Sequence, residues 1–338
     1  MWTEAKLDEM LTTPSYKLIQ DISRLDGDLM VLGAGGKMGP TLCVLAKKAL
    51  QAAGVEKEVY AVSRFSDPIV SAYLSENSVK MISCDMLAPH ALEDLPDAKN
   101  IIYMAGKKFG TNGNEYATWA MNTWLSSRVA ERFKDSRIVV FSSGNIYPKV
   151  PIHSGGATEK VATEPVGEYC MSCLGRERMF EYAAKTYDTP ISIFRLNYAV
   201  DLRYGVLFDI ASKVMNDQAV ELATPSFNCI WQKDANETAI RLLNYASPEV
   251  FTLNVTGPET ASVRETALQF GKLFGKTPTF LGDPTDTAYL SNAGKMFELF
   301  GYPTVSLNTM IEWQAQWILS GGRSLGKPTH FEERKGSY

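Results

Sequence analysis

The sequence predicts an α/β fold: a doubly wound parallel sheet followed by a smaller, mostly helical C-terminal region. Three observations carry that expectation. An apolar run, Leu29-Met30-Val31-Leu32, leads directly into glycines at 33, 36 and 39. An Ala/Leu/Val-rich stretch of helical character follows, from Pro40 to Ala53. Strand-like and helix-like patterns then alternate along most of the chain, as they do when helices cover both faces of a parallel sheet.

Residues 1–27 read as an N-terminal extension packed on the main domain. Within it Asp21–Leu25 closes a short helix and Asp26-Gly27-Asp28 forms a turn. Beyond the first βα unit, apolar runs at Val59–Val62, Val79–Ile82, Asn100–Met104, Arg137–Phe141 and Ile191–Phe194 predict strands. Tyr116–Phe133 and Tyr169–Lys185 predict the helices between the later ones. A dinucleotide-binding domain is thus expected over 28–202. From 203 to 338 the rhythm loosens. Helical patterns at 204–216, 233–246, 262–275 and 306–319 are divided by turns such as Thr256-Gly257-Pro258, which suggests a substrate-binding region interleaved with the sheet.

Of the 338 residues 45% are hydrophobic and 21% charged, the composition of an ordinary globular protein with ample core. A net charge of −4 gives no basic footprint for nucleic acid or for an anionic membrane. No apolar run is long enough to span a bilayer, and the first ten residues lack the pattern of a signal peptide. The cytoplasm is the expected location. Five cysteines are too few and too scattered for a disulfide framework. Cys170-Met171-Ser172-Cys173 has C-x-x-C spacing but no second pair and no histidine at ligand spacing, so buried helical thiols are expected rather than a metal site.

The glycines carry the first chemical inference. In a strand–turn–helix context the first allows a tight turn, the second lets backbone N–H groups approach a pyrophosphate, and the third lets helix pack on strand. Gly33, Gly35, Gly36, Lys37, Met38 and Gly39 are therefore candidate cofactor-binding residues. The second strand ends in Val62-Ser63-Arg64, with no carboxylate to bind ribose hydroxyls and a guanidinium suited to a 2′-phosphate. That favours NADP, with NAD as the alternative. Asp85 and Met86 follow the third strand, where a carboxylate can accept from an adenine amino group.

The order of these landmarks resembles the extended short-chain dehydrogenase/reductase superfamily, of the NAD(P)-dependent epimerase/dehydratase type with a Rossmann fold. The matching pieces are the glycine loop, Asp85, Met104-Ala105-Gly106 after the fourth strand and Asn122 in the next helix. Phe141-Ser142-Ser143-Gly144-Asn145-Ile146-Tyr147, Tyr169–Cys173 and Phe251–Glu259 complete the set. The resemblance spans about 28–300. It implies that Met104, Ala105, Gly106 and Asn122 join the cofactor site, that Ser143 orients a substrate oxygen, and that Tyr169 exchanges the proton as hydride moves. It also implies a homodimer through the helices following strands four and five.

One member is missing. The family reads Tyr-x-x-x-Lys; this chain reads Tyr169-Cys-Met-Ser-Cys173. A Lys at i+4 would share the helix face of the Tyr and favour the phenolate. Bringing a phenol from its usual value near 10 to ~7 takes about 4 kcal/mol. A thiol supplies no such charge. Three outcomes are open. Lys107 or Lys108, after strand four, replaces the cation; Arg176, ~10 Å along the helix axis, is a poorer candidate. Alternatively the oxidised cofactor's own charge suffices for a slow reaction, or redox chemistry is lost.

The motifs that bind a nucleotide diphosphate in such proteins are also altered. Phe227-Asn228 stands where Arg-Asp is expected, and Arg195-Leu196-Asn197-Tyr198 lacks the usual turn. The expected substrate is a sugar, sugar acid or lactone without a nucleotide handle. A non-catalytic NADP-binding sensor of the same fold is the alternative, and a thiol enzyme using Cys173 is a third reading.

Overall fold

The computed structural model describes residues 2–110 and 113–336. Seven parallel strands form the central sheet: β1 (Leu29–Leu32), β2 (Val59–Ser63), β3 (Lys80–Ser83), β4 (Asn100–Tyr103), β5 (Arg137–Ser143), β6 (Ile191–Leu196) and β7 (Phe251–Val255). Their order is β7-β6-β5-β4-β1-β2-β3. The chain thus winds outward from β1 to β3, returns, and winds the other way from β4 to β7. The switch lies between β1 and β4, paired in register Leu29 to Asn100 through Leu32 to Tyr103. In open α/β sheets the crevice at that switch, beyond the carboxyl ends of the strands, is where ligands bind.

The inner strands are apolar because helices bury both of their faces. β1 and β4 are buried at every position, and β5 holds Ile138, Val139 and Val140 without exposure. At the edge, β3 is largely exposed and carries Lys80, a charge that discourages further strand pairing. One face packs α2 (Tyr16–Ser23), α3 (Gly39–Ala52) and α9 (Gln232–Arg241) around Leu42, Leu45, Ile102 and Ala239. The other packs α6 (Leu125–Arg132) and α7 (Glu168–Tyr187) around Leu125, Val129, Phe180 and Ala184.

The expected helix over 116–133 is α5 (Glu115–Trp119) running into α6 through a π-helical turn, Ala120–Trp124. A π-turn widens the helix and frees backbone carbonyls, and Asn122 lies inside it. Residues 4–12 form α1, ahead of the short helix read from the sequence. The C-terminal region contributes β7 to the sheet and builds its own core from α8 (Val206–Met215), α10 (Val263–Phe274) and α12 (Leu307–Leu319), with Phe331 in that core. No helix among the described residues is long and apolar enough to cross a membrane.

Candidate active site

A cavity of about 380 Å³ opens at the switch point. Gly33, Gly35, Gly36 and Lys37 line it from the glycine loop, Ser63 and Arg64 from the end of β2, Asp85 and Met86 from beyond β3, and Met104, Ala105 and Gly106 from beyond β4. The local geometry explains the glycines. Gly33 has φ +92°, and a Cβ there would lie 2.5 Å from the Ala105 nitrogen. Gly36 would carry its Cβ into open space, with only the Gly33 carbonyl at 3.6 Å, so its backbone is open to a ligand. This cradle fits an extended dinucleotide.

Met38 and Gly39 act differently from the residues before them. Met38 is buried at the start of α3, and a Cβ on Gly39 would meet the Ala34 carbonyl oxygen at 2.3 Å. Both pack the helix onto the strand and lie outside the lining of the cavity. The carboxylates near the adenosine end are engaged locally: Asp67 accepts from the Ile69 N–H at 2.9 Å and Asp85 from the Leu87 N–H at 3.1 Å. Arg64 is exposed at the rim.

Asn122 is fully buried and outside the lining as well. Its Oδ1 accepts from the Lys107 N–H at 2.8 Å and from Arg176 Nη2 at 3.0 Å, while its amide donates to the Lys107 carbonyl at 2.9 Å. It therefore fixes the loop after β4 and reaches a cofactor only through that loop. The Lys107 peptide is held by this clasp, whereas Lys108 points its ammonium over the Tyr169 ring, 5.7 Å from the centroid. Burial pushes the Lys108 amine down to about 8, against an upward pull from Cys170, Cys173 and Asp209.

Tyr169 lies in the first turn of α7, half-buried. Burial raises its phenol well above the usual value, Cys173 raises it further, and the Arg176 guanidinium opposes them. Arg176 reaches the site despite its sequence separation. Its Nη1 donates to the Phe141 carbonyl at 2.7 Å and its Nε to the Asn122 carbonyl at 3.4 Å. A Cβ on Gly106 would meet Nη2 at 2.6 Å. The guanidinium thus lies beneath the cavity floor, because a long side chain covers the distance that the helix rise creates. Ser143 is buried at the end of β5, its Oγ accepting from the Asn145 N–H at 3.1 Å.

The thiols are poor nucleophiles. Burial pushes Cys170 up to about 12 and raises Cys173 as well, which weighs against a thiol reaction through Cys173. Several residues around Tyr169 carried no sequence signal. Tyr198, at φ +44°, has its phenol raised first by burial and then by Glu332, Tyr289 and Asp209. Lys149 donates to the Arg334 carbonyl at 2.9 Å and to the Tyr289 hydroxyl at 3.4 Å. Phe227 is buried, and Asn228 is bonded to Asn197 and to the Ser291 carbonyl, so neither faces a ligand.

A seven-stranded doubly wound sheet, a glycine cradle at its switch point and a helix-borne tyrosine beyond it define a Rossmann-type protein of the extended short-chain dehydrogenase/reductase class. The chain belongs to the NAD dependent epimerase/dehydratase family, whose sequence profile matches residues 29–200. Comparison with curated protein sequences finds no match. Among solved structures, UDP-glucuronic acid 4-epimerase from Bacillus cereus in complex with NAD is similar, with 20% identity and a TM-score of 0.69 over 87% of this chain and 99% of the other. A dTDP-glucose 4,6-dehydratase from Bacillus anthracis in complex with NAD gives 16% identity and 0.72 over 87% and 97%. UDP-glucose 4-epimerase from Thermotoga maritima gives 15% and 0.70 over 87% and 99%. At these identities the likeness is one of fold.

Proposed function

We propose that the protein is an oxidoreductase or epimerase acting at a secondary alcohol carbon of a small polyhydroxylated substrate: a sugar, sugar acid or lactone without a nucleotide handle. NADP is the favoured cofactor and NAD the alternative. Either one, when bound, supplies the hydride acceptor and donor. The observation that carries the reading is the Lys108 ammonium over the ring of Tyr169, since it provides a cation where the family's lysine is missing.

In this reading Gly33, Gly35 and Gly36 cradle the pyrophosphate and Arg64 takes the 2′-phosphate. Ser143 donates a hydrogen bond to the reacting oxygen. Tyr169 gives its phenolic proton to a carbonyl being reduced, or accepts the hydroxyl proton of an alcohol being oxidised. Burial raises the phenol, so the phenolate left by donation is costly and needs a neighbouring cation. Lys108 and Arg176 lower the cost of the phenolate that remains, and Lys107 serves through its peptide clasp on Asn122. Epimerisation needs both directions in turn, with the carbonyl intermediate reoriented between them.

The similar structures include proteins named for UDP- and dTDP-sugars. A smaller substrate is favoured here because Phe227 and Asn228 are engaged inside the fold. Homodimerisation through α5–α7 fits the exposure of Tyr116, Trp124 and Tyr182 on those helices.

The test is to identify by mass spectrometry any nucleotide released on denaturation, with NADPH and NADH titrations alongside. NADP(H) supports the full reading. NAD(H) alone removes the role given to Arg64, and binding of neither removes the enzyme. The second reading, a cofactor-binding sensor, draws on Cys173 at the lysine position. Tyr169→Phe separates them, because an enzyme loses turnover and a sensor keeps its ligand response.

A further inference from the structure

The cofactor cavity ends at Gly106 and Lys327, and its lining includes neither Ser143 nor Tyr169. Near that end the chain itself runs past Lys108 and Lys149 to the first turn of α7. Residues 323–336 run there with no helix or strand. They are attached by hydrogen bonds and ion pairs to surrounding helices and loops, Arg323 to Glu4 and Glu332 to Lys213 among them. The Leu325 N–H donates to the Arg203 carbonyl at 3.0 Å, Phe331 is buried in the C-terminal core, and the Arg334 guanidinium donates to the Thr287 carbonyl at 2.7 Å. The segment finishes on the first turn of α7, where a Cβ on Gly167 would lie 2.5 Å from the Gly336 carbonyl oxygen.

Thr329 is the hub of these contacts. Its N–H and hydroxyl both donate to one carboxylate oxygen of Asp209 on α8, at 2.8 and 2.5 Å. Its carbonyl accepts from the Lys108 ammonium at 3.3 Å, the same ammonium that sits over Tyr169. One residue of the strap therefore ties α8 to the loop bearing the candidate catalytic cation.

We infer that residues 323–336 are a lid over the catalytic end, latched by Thr329 on Asp209, which lifts to admit substrate and selects one small enough to be enclosed when it closes. The purpose of the lid rests on the reading under Proposed function; its opening does not. A segment held by side-chain bonds, the Leu325 backbone bond and one buried ring, with no part in a sheet ladder, can detach while the strands and helices stay formed. Enclosure would exclude water from a site that moves a proton and a hydride.

Opening can be read without cofactor or turnover. Cys170, beside Tyr169, is buried, as is Cys43, which packs in the other core on α3. Labelling by N-ethylmaleimide, mapped on peptides, reports access to each. In Thr329→Val, which removes one bond to a carboxylate, Cys170 should label about tenfold faster, with Cys43 unchanged and Thr329→Ser restoring the native rate. Equal acceleration at Cys170 and Cys43, or none at Cys170, overturns the lid.

Amide exchange on the unaltered protein guards against a variant that fails to fold. Leu325 and Thr329 should exchange well ahead of α7 and α8, and exchange in step with those helices overturns the lid. Loss of nucleotide binding would leave both results intact, so the two readings fail separately.

Discussion

The ammonium of Lys108 stands over the ring of Tyr169, 5.7 Å from its centroid, and is held there by the carbonyl of Thr329. Its charge is lost early, since burial brings the amine down to about 8 from an ordinary 10.5. The sign of the consequence differs for activity and stability. A depressed folded value means the buried ammonium weighs against folding below about pH 8, and that burden lifts as pH rises toward 10.5. Turnover that needs the cation should instead fall above about pH 8. Lys37 is also brought down to about 8, by burial and by Lys108, so Lys37→Arg is the control. Lys108→Arg should carry activity to higher pH; an unchanged profile would remove Lys108 from the mechanism.

Tyr169→Phe removes the proton-transfer group and leaves the ring under Lys108. Turnover should drop by about 10²–10⁴-fold, while the dissociation constant of the cofactor stays within about twofold, as Tyr169 lies outside the cofactor cavity. Stopped-flow hydride transfer and fluorescence titration separate the two. A large change in affinity with little change in rate would assign Tyr169 to binding.

Arg64 at the cavity rim should decide between the two nicotinamide cofactors. A hydrogen bond to a charged group contributes about 1.5–3 kcal/mol, so Arg64→Leu should weaken NADPH by one to two orders of magnitude and leave NADH nearly untouched. Adding Ser63→Asp, which places a carboxylate where ribose hydroxyls would lie, should reverse the preference. Equal loss for both cofactors would make Arg64 a general contact.

The Arg195–Glu177 pair joins β6 to α7 inside the protein, with bonds of 3.0 and 2.7 Å, and the Tyr147 hydroxyl lies 2.6 Å from the same guanidinium. Glu177→Gln strands the guanidinium without its counter-charge. Breaking a buried pair in this way costs about 3–5 kcal/mol, which urea denaturation would register. A cost under about 1 kcal/mol would mean that Tyr147 and water replace the carboxylate.

The sheet was legible because buried parallel strands need unbroken apolar runs, and Leu29–Leu32 and Arg137–Phe141 supply them. The glycine loop was legible because the residue type is dictated by space, as the Ala105 contact at Gly33 shows. Arg176 was not, since its reach depends on side-chain length rather than on helical spacing. Nor was the strap. Residues 323–336 are charged and aperiodic, with Phe331 as the lone buried apolar anchor, so nothing set them apart within the C-terminal region expected over 203–338. The role of Asp209 depends on that strap and was hidden with it. The helix α1 escaped because its buried residues are Leu7, Leu11 and Thr12 on an otherwise polar stretch.

The cofactor cavity draws one wall from Asp8 of α1 and another from Arg323, Leu325 and Lys327, and Glu4 bonds to Arg323 at 3.2 and 3.3 Å. On the ribosome the Asp8 wall is made about three hundred residues before the Arg323 wall. A nascent chain halted after Gly322 would have its sheet and glycine loop in place, yet its groove would stand open along one side. Closure of the groove is thereby a late event in biogenesis.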